Sequence, residues 1–552
     1  MTDESPARRL ASRLADRLLT AYPFEATELG LREYDALVPD ASAAAEEQLA
    51  DDVRAIGADA ERIEADTSAD AVTLAAVRST CAQQLRSLAV RPREFTVTAL
   101  PIAGPPLLLA TLARAVLPDS RAAADYLERA TASADWVDGL TQRLREGASR
   151  GRYPVGSLVD ETLAWVDRTL AQPVPPALTA PSAPEGWDGA SAWQQAVADI
   201  ARDRLVPAIG RWGAELRELR PSARTDAQVG LSVLPGGAAD YANAIAVHTT
   251  LPFTPDELHR IGLDAVERLE ERARELGASV GLTDLDSVRT AVRRSTSAQR
   301  PEDALAAAQR AVVRAEARAH EIMPQPLPDP CIVTPMPPTV AEAGMAPHYT
   351  PPRADGSRPG TFWFNLARPT AGTGWDLEAV AFHETVPGHH SQLARLQRIP
   401  DLPLLQQLVI TTHAEGWGLY AERVAGEFGL YSSVEAEIGA VYVEMFRAAR
   451  LVVDTGLHAF GWSRQRAREY LVGHVALAEA FLIDEIDRYI AWPGQALAYL
   501  VGQREILRLR DEARSALGDR FRLPDFNAAV LDSGNLPMPV LAGVVADWIA
   551  KV

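Results

Sequence analysis

A short histidine-rich segment, His383 to His390, contains residue types that bind metal ions. It reads His-Glu-Thr-Val-Pro-Gly-His-His and holds three of the ten histidines of the chain, and Glu415 follows about one helix later. Catalytic zinc is commonly held by two imidazoles and a carboxylate with one position open for water, and a glutamate beside the first histidine acts as base. The segment therefore predicts a zinc site in which His383 and Glu415 are ligands and Glu384 is the base.

The second histidine ligand does not have the usual spacing. In the pattern His-Glu-x-x-His it lies one helical turn after the first, and here that position is Pro387. On an ideal helix His389 lies about 120° from the face of His383, and His390 shares that face but lies roughly 10 Å further along the axis. Pro387 lacks an amide hydrogen and its ring collides with the carbonyl of residue 383, so we expect a distorted, bulged turn. We predict that this turn brings His389, rather than His390, to the metal.

The stretch after this segment predicts an acidic helix over residues 403–428. Glu415 and Glu422 are seven residues apart and share one helical face, so one carboxylate can bind the metal while the other supports the site. We assign the supporting role to Glu422. His413 and Trp417 are interpreted as structural.

Four motifs resemble, in the same order, a bacterial family known only as domain of unknown function number 885. They are His383 to His390, Glu415 to Glu422, Arg450 to His458, and Arg488-Tyr489 through Pro493 to Ala496. The resemblance covers nearly the whole chain and is strongest after about residue 236. That family is in turn similar to gluzincin peptidases of the thimet-oligopeptidase and thermostable-carboxypeptidase types. Their motif is His-Glu-x-Gly-His or a close variant, followed by a glutamate on a later helix.

The resemblance implies a role for each residue of the predicted metal site. His383 and His389 match the two histidines, Glu415 the third ligand and Glu384 the base. This chain departs from the gluzincin pattern by two additional residues before Gly388-His389.

A polar stripe on a later apolar helix, predicted over 441–459, offers further site residues. Arg450, Asp454 and His458 recur every four residues, so the stripe must be exposed or must line a cavity. Related peptidases place a histidine and a tyrosine over the scissile carbonyl and a cation at the substrate carboxylate. By this resemblance the catalytic candidates are His458 and Tyr489, the substrate-binding candidates are Arg450, Arg488 and Tyr499, and Asp454 supports them.

Residues 324 to 371 are rich in proline and glycine and contain two short β-prone runs, 331–333 and 361–365. In gluzincins a small sheet precedes the metal helix, and its edge strand pairs with the substrate backbone. The resemblance makes Thr361 to Asn365 the predicted edge strand, with Phe362 facing substrate. The alternative is a loop that only covers the metal helix.

Apolar residues at three- and four-residue spacing predict a mainly α-helical chain. We expect a gluzincin-like multi-helix architecture with a small β-sheet, enclosing a deep cleft. Residues 1–235 are interpreted as an N-terminal helical wall and residues 236–552 as the catalytic lobe. The helices are predicted at 5–21, 41–66, 69–90, 104–116, 119–147, 151–171, 191–217, 236–249, 255–276, 302–322 and 377–396.

Composition argues against several partners. The net charge is −19 and the only lysine is Lys551, so no basic patch for nucleic acid or an anionic membrane is evident. Cys81 and Cys331 show no metal-binding or disulfide pattern. Neither a signal peptide nor an uninterrupted apolar span is recognisable, so we expect a cytoplasmic protein. A homodimer is compatible with the sequence.

These observations predict a zinc-dependent hydrolase of peptide or related amide bonds, acting on short peptides in an enclosed cleft. One alternative is a metal-binding protein that captures peptides without hydrolysis, or that forms amide bonds in biosynthesis. Another is a purely structural helical protein in which His383, His389 and Glu415 do not converge. The presence of Glu384 favours hydrolysis, because a binding protein does not need a base beside an open metal site.

Overall fold

The computed structural model describes residues 5–298, 300–323, 325, 330–336, 341, 347–353, 358–366 and 374–552. Helices dominate the N-terminal half, largely where the periodicity predicts them. They are α1 (Pro6–Ala21), α2 (Pro23–Leu29), α3 (Ala43–Arg62), α4 (Ser68–Val90), α5 (Gly104–Ala113), α6 (Ser120–Ser149), α7 (Gly156–Leu170), α8 (Pro176–Thr179), α9 (Ala190–Ile200), α10 (Val206–Leu219), α11 (Gly237–Thr249), α12 (Pro255–Ser279), α13 (Leu285–Ala298) and α14 (Pro301–Ile322).

The second half continues as helices after a small sheet. The strands are β1 (Ile332–Pro335), β2 (His348–Thr350) and β3 (Thr361–Phe364). The helices are α15 (Leu377–Glu384), α16 (His389–Leu396), α17 (Leu404–Gln407), α18 (Thr411–Glu427), α19 (Val434–His458), α20 (Arg464–His474), α21 (Glu479–Ala491), α22 (Ala498–Leu517), α23 (Leu523–Leu531) and α24 (Met538–Lys551). The mainly α-helical prediction is confirmed.

The sheet has a different order from the one predicted. β3 lies in the centre, parallel to β1 and antiparallel to β2. The prediction that Thr361 to Asn365 forms the edge strand is therefore wrong. Phe362 and Phe364 are completely buried, because residues two apart on a strand share one face of the sheet and this face packs into the core. The strand beside the histidine segment is β2, whose Tyr349 backbone pairs with Phe362.

The hydrophobic core extends across the domain boundary predicted at residue 235. One cluster of buried residues joins Val90 and Val155 from the N-terminal part to Leu451 and Tyr489 from the C-terminal part. A second cluster surrounds the sheet and includes Trp417 of α18. The two-lobe division remains a prediction. No helix among the described residues is long and apolar enough to cross a membrane.

Candidate metal centre

The histidine segment folds as two helices separated by a turn. α15 ends at Glu384 and α16 begins at His389, so the prediction of one bulged helix over 377–396 is wrong in that detail. Pro387 lies at the position where its ring would meet the carbonyl of His383 if the helix continued. Gly388 passes so close to the end of α15 that an added Cβ would lie 1.9 Å from the carbonyl oxygen of His383. The two additional residues are therefore accommodated by a break that only glycine at position 388 allows.

Trp417 of α18 holds this turn in place. Its indole Nε1 donates hydrogen bonds to the carbonyl oxygens of Pro387, at 2.9 Å, and Gly388, at 3.1 Å. The indole is fully buried. Trp417 therefore does more than the structural packing inferred from the sequence, because it fixes the peptide immediately before His389.

Three side chains from these helices converge on one point. His383 Nε2 lies 3.4 Å and His389 Nε2 lies 3.7 Å from Glu415 Oε2. Among the described residues, these three side chains form a group of potential metal ligands. Their donor atoms all lie within 4.8 Å of one another. Two donors bound about 2.1 Å from a tetrahedral zinc lie roughly 3.4 Å apart, so this spacing fits a zinc ion. Two imidazole nitrogens and one carboxylate oxygen are also donors that zinc accepts.

Glu422 lies behind the first of these ligands. Its Oε1 is 2.7 Å from Nδ1 of His383, which leaves Nε2 facing Glu415. Carboxylates in this position fix the orientation of metal-binding imidazoles. The structure thus brings Glu422 to the supporting position that the sequence predicted.

The electrostatic surroundings of His383 favour a positive charge. Burial lowers the pKa of the imidazole, but Glu415 and Glu422 outweigh this effect and raise the pKa to about 10. Burial raises the pKa of the Glu415 carboxyl, and hydrogen bonds from His383 and His389 hold it well below its usual range. The space between these groups therefore favours a positive charge. Without metal this charge is a proton on His383, and with metal bound it would be the metal ion.

His390 faces away from this cluster. Its Nδ1 lies 2.9 Å from the hydroxyl of Tyr349 on β2, and it is not part of the converging group. The preference for His389 over His390 agrees with this arrangement.

Glu384 is positioned by the same strand. The backbone amide of Tyr349 donates a 2.8 Å hydrogen bond to Glu384 Oε2. Glu384 follows His383 directly and, like the three converging residues, faces a cavity of about 450 Å³. The predicted base thus lies beside the predicted metal ligands. The charged and polar residues that line the cavity include His348, Asp376, His383, Glu384, His389, Glu415, Arg447, Arg450, Glu485, Arg488, Gln495 and Tyr499.

The predicted substrate-binding residues separate into two groups. Arg450, Arg488 and Tyr499 line the cavity. Phe362 does not, because it is fully buried in the central strand. Arg447 also lines the cavity and was not singled out from the sequence, although its position one turn before Arg450 places it on the same helical face.

His458 and Asp454 lie in the core rather than at the cavity. Nδ1 of His458 accepts a hydrogen bond from the amide of Leu231, and Nε2 lies 3.0 Å from the carbonyl oxygen of Tyr489. Burial lowers the pKa of His458 to about 3, so the ring is neutral, and both of its nitrogens are occupied. The structure therefore gives His458 no route to substrate.

Asp454 accepts hydrogen bonds from the Tyr241 hydroxyl, at 2.6 Å, and from the amide of Gly494. Burial raises the pKa of Asp454 to about 7. It supports the turn at Gly494 rather than the metal ligands. Polar residues along an apolar helix can thus find hydrogen-bond partners inside the core. The prediction from periodicity considered only exposure to solvent or a place at a cavity.

Tyr489 is likewise buried and does not line the cavity. Its hydroxyl donates to Glu485 Oε2 at 2.8 Å and accepts from Arg450 Nε at 3.0 Å. Tyr489, which was predicted to be catalytic, therefore holds the side chain of Arg450 in place instead of facing the cavity. Tyr499 lies on the cavity instead, close enough to Glu415 for that carboxylate to add to burial in raising the pKa of the tyrosine.

Replacing Gly418 by alanine is expected to weaken zinc binding about 10- to 100-fold, as changes in groups that orient a metal ligand do. A Cβ at this position of α18 would lie 2.6 Å from Cε1 and 2.7 Å from Nε2 of His383, so the ring must move. Alanine favours the helix itself by roughly 1 kcal/mol, so the fold should persist. A zinc titration combined with thermal unfolding measures both effects. Gly426→Ala on the same helix is the control, because its Cβ would meet no atom closer than 3.4 Å. Equal zinc affinity in the two variants would contradict the close packing of Gly418 against His383.

Comparisons with known proteins assign the family. Residues 23–545 match the model of the family described as "Bacterial protein of unknown function (DUF885)", so the chain belongs to this family. No curated protein matches the chain.

Two solved structures share the fold. A "putative lipoprotein" from Colwellia psychrerythraea is 24% identical with a TM-score of 0.89, and the match covers 99% of each chain. A "putative lipoprotein of unknown function" from Shewanella oneidensis is 15% identical with a TM-score of 0.73, covering 98% of this chain and 100% of the other. At these identities the likeness concerns the fold alone.

Proposed function

We propose that this protein is a zinc-dependent hydrolase of peptide or related amide bonds with a gluzincin-like site. The observation that carries the proposal is the convergence of His383, His389 and Glu415 beside Glu384 at the wall of one cavity. Three protein donors leave a fourth zinc position for water, as catalytic sites require, whereas structural zinc sites fill all four. The resemblance of the surrounding motifs to gluzincin peptidases supports the same assignment.

In this proposal zinc, when bound, would lower the pKa of water and polarise the substrate carbonyl. Glu384 accepts a proton from the attacking water as the oxygen–carbon bond forms. As the carbon–nitrogen bond breaks, Glu384 gives that proton to the leaving amine, so one water is consumed for each amide cleaved. The amide of Tyr349 holds Glu384 Oε2 at 2.8 Å and leaves the other carboxylate oxygen for this transfer.

The cavity restricts the substrate. A volume of about 450 Å³ is within the range of small-ligand sites, which favours short peptides over folded chains. Tyr499 lines the cavity near Glu415, and we assign it to substrate positioning. A cytoplasmic location and the possibility of a homodimer remain predictions.

Metal removal tests this proposal. We expect the zinc-loaded protein to cleave members of a set of unblocked and end-blocked short peptides, detected by mass spectrometry. A chelator should abolish cleavage and added zinc should restore it, because the attacking water depends on the metal. Cleavage that survives chelation would contradict the proposal. Peptide binding without any product would instead favour the non-hydrolytic alternative.

A further inference from the structure

The third histidine of the segment, His390, has no role in the proposed metal centre. Its ring is buried, and its Nδ1 lies 2.9 Å from the hydroxyl oxygen of Tyr349, which is buried as well. The two rings meet edge to face, with their centres 5.6 Å apart. A hydrogen bond between two buried side chains is costly to break, because neither group then regains contact with water. His390 therefore fixes the ring of Tyr349 in one position.

The main chain that leads into β3 closes over this pair of rings. Gly360 is the residue before β3, and a Cβ added there would lie 2.8 Å from Nδ1 of His390 and closer still to the hydroxyl of Tyr349. Glycine at position 360 thus allows the backbone to pack directly against the hydrogen bond. Because three parts of the chain meet at this bond, the ring of Tyr349 cannot move while the bond is kept.

Tyr349 also contacts the predicted base. Its strand, β2, has three residues and, among the described residues, pairs only with β3. The amide of Tyr349 donates to Glu384 Oε2 at 2.8 Å, while its hydroxyl contacts His390. A short edge strand has few backbone hydrogen bonds of its own, so its position depends on side-chain contacts of this kind.

The link from Tyr349 to His390 connects β2 to the helix that carries a metal ligand. The next residue of the strand, Thr350, is attached to the sheet instead, since its hydroxyl accepts a 2.8 Å hydrogen bond from Nε1 of Trp363. His390 directly follows the predicted ligand His389 in the first turn of α16. One helical turn therefore contributes a ligand to the metal centre and an anchor to the strand that contacts the base.

We propose that His390 is a positioning residue for the general base: it holds Tyr349, and the amide of Tyr349 holds Glu384 in place relative to the metal. The effect on rate rests on the proposed hydrolase function, but the hold on Glu384 does not. A displacement of about 1 Å at a reacting group can lower a rate by roughly 10²-fold. Loss of this link should therefore lower hydrolysis without loss of zinc.

Two substitutions remove the link from opposite sides. Tyr349→Phe removes the hydroxyl and keeps the ring and the amide, and His390→Leu removes the imidazole. Either should lower kcat by about 10- to 100-fold, with KM and zinc content nearly unchanged, because the base acts in the transition state. His390→Asn keeps a polar atom near the place of Nδ1 and should recover part of the rate. Thermal unfolding shows whether each variant is folded, and Tyr349→Phe, the smaller change, decides the outcome if His390→Leu does not fold.

Tyr126→Phe is the matched control for the loss of a buried hydroxyl. The Tyr126 hydroxyl donates to the carbonyl oxygen of Leu178 at 2.9 Å, and Tyr126 does not line the cavity. This variant should keep the wild-type kcat. A loss of rate in Tyr126→Phe as large as that in Tyr349→Phe would overturn the assignment, because loss of any buried hydroxyl would then explain it.

The Glu384→Gln background separates positioning of the base from a general structural role. Glutamine still accepts the hydrogen bond from Tyr349 but is no base, so Tyr349→Phe should lower the residual rate no further in this background. A purely structural role would lower the rate by the same factor in both backgrounds. That result, an effect on KM in place of kcat, or an unchanged rate in Tyr349→Phe overturns the proposal.

Hydrogen exchange tests the hold on Glu384 without hydrolysis. In Tyr349→Phe and His390→Leu the amide of residue 349 should exchange about 2- to 10-fold faster than in the wild type, the range for loss of one net hydrogen bond. Fragment-resolved mass spectrometry measures this, with the amides of the buried helix α18 as the internal reference. Unchanged exchange at residue 349 overturns the proposal. If exchange rises as expected but the wild type hydrolyses no peptide, the proposed activity is refuted and the link from His390 to Glu384 stands.

Discussion

Glu384→Gln is expected to lower the rate of peptide hydrolysis by about 10² to 10⁴, the usual contribution of a general base. Glutamine has nearly the same shape as glutamate and keeps a carbonyl oxygen, so it can still accept the hydrogen bond that Tyr349 donates at 2.8 Å. The edge strand β2 and the zinc ligands should therefore stay in place while proton transfer is lost. Rates measured on a peptide cleaved by the wild type, together with zinc content, separate these effects.

Glu378→Gln is the matched control on the same helix. Glu378 forms an ion pair with Arg314 and does not line the cavity, so its replacement should leave the rate nearly unchanged. If hydrolysis survives Glu384→Gln within roughly threefold of the wild type, Glu384 is not the general base. The proposed peptidase mechanism would then have to be abandoned.

The second large effect is expected from His389→Ala. Removing one of three protein ligands should weaken zinc binding more than removing a residue that only hydrogen-bonds to a ligand, a change that typically costs ~10- to 100-fold in affinity. His390→Ala should retain zinc, because His390 contacts Tyr349 and lies outside the converging group. The measurement is zinc bound per folded chain, since loss of either buried ring also affects stability.

The pair of adjacent histidines provides its own control. Both are buried and both belong to the first turn of α16, so general damage to the helix should affect zinc similarly in the two variants. Loss of zinc in His390→Ala with zinc unchanged in His389→Ala would contradict the arrangement of the turn at Pro387 and Gly388.

The sequence allowed the main elements of the site to be predicted because metal chemistry restricts residue types and spacing. His383 and Glu415 were predicted from their residue types and from the resemblance to gluzincin peptidases, and Glu422 from the helical face that it shares with Glu415. Pro387 indicates where the helix must be distorted. The mainly helical fold followed from the periodicity of apolar residues. Helix capping at the start of α12 follows residue type as well: the Thr254 hydroxyl accepts a hydrogen bond from the amide of Glu257, and the Glu257 carboxylate accepts one from the amide of Thr254.

Tertiary contacts account for what the sequence did not predict. β2 has only three residues, too few for an alternating pattern, and it is recognisable only through its pairing with β3. His458 could not be distinguished from a cavity residue, because its partners, Leu231 and Tyr489, are distant in sequence. The position of Trp417 beneath the turn at Gly388 likewise depends on how α18 packs.

The proposed function depends most directly on where zinc binds. The decisive measurement is an anomalous difference map, collected at the zinc absorption edge from a crystal of the zinc-loaded protein. We expect one strong peak about 2.0 to 2.2 Å from Nε2 of His383, Nε2 of His389 and a carboxylate oxygen of Glu415, with the remaining side facing the cavity. A zinc peak elsewhere, a peak bound by His390, or no peak at this cluster would contradict the proposed metal centre.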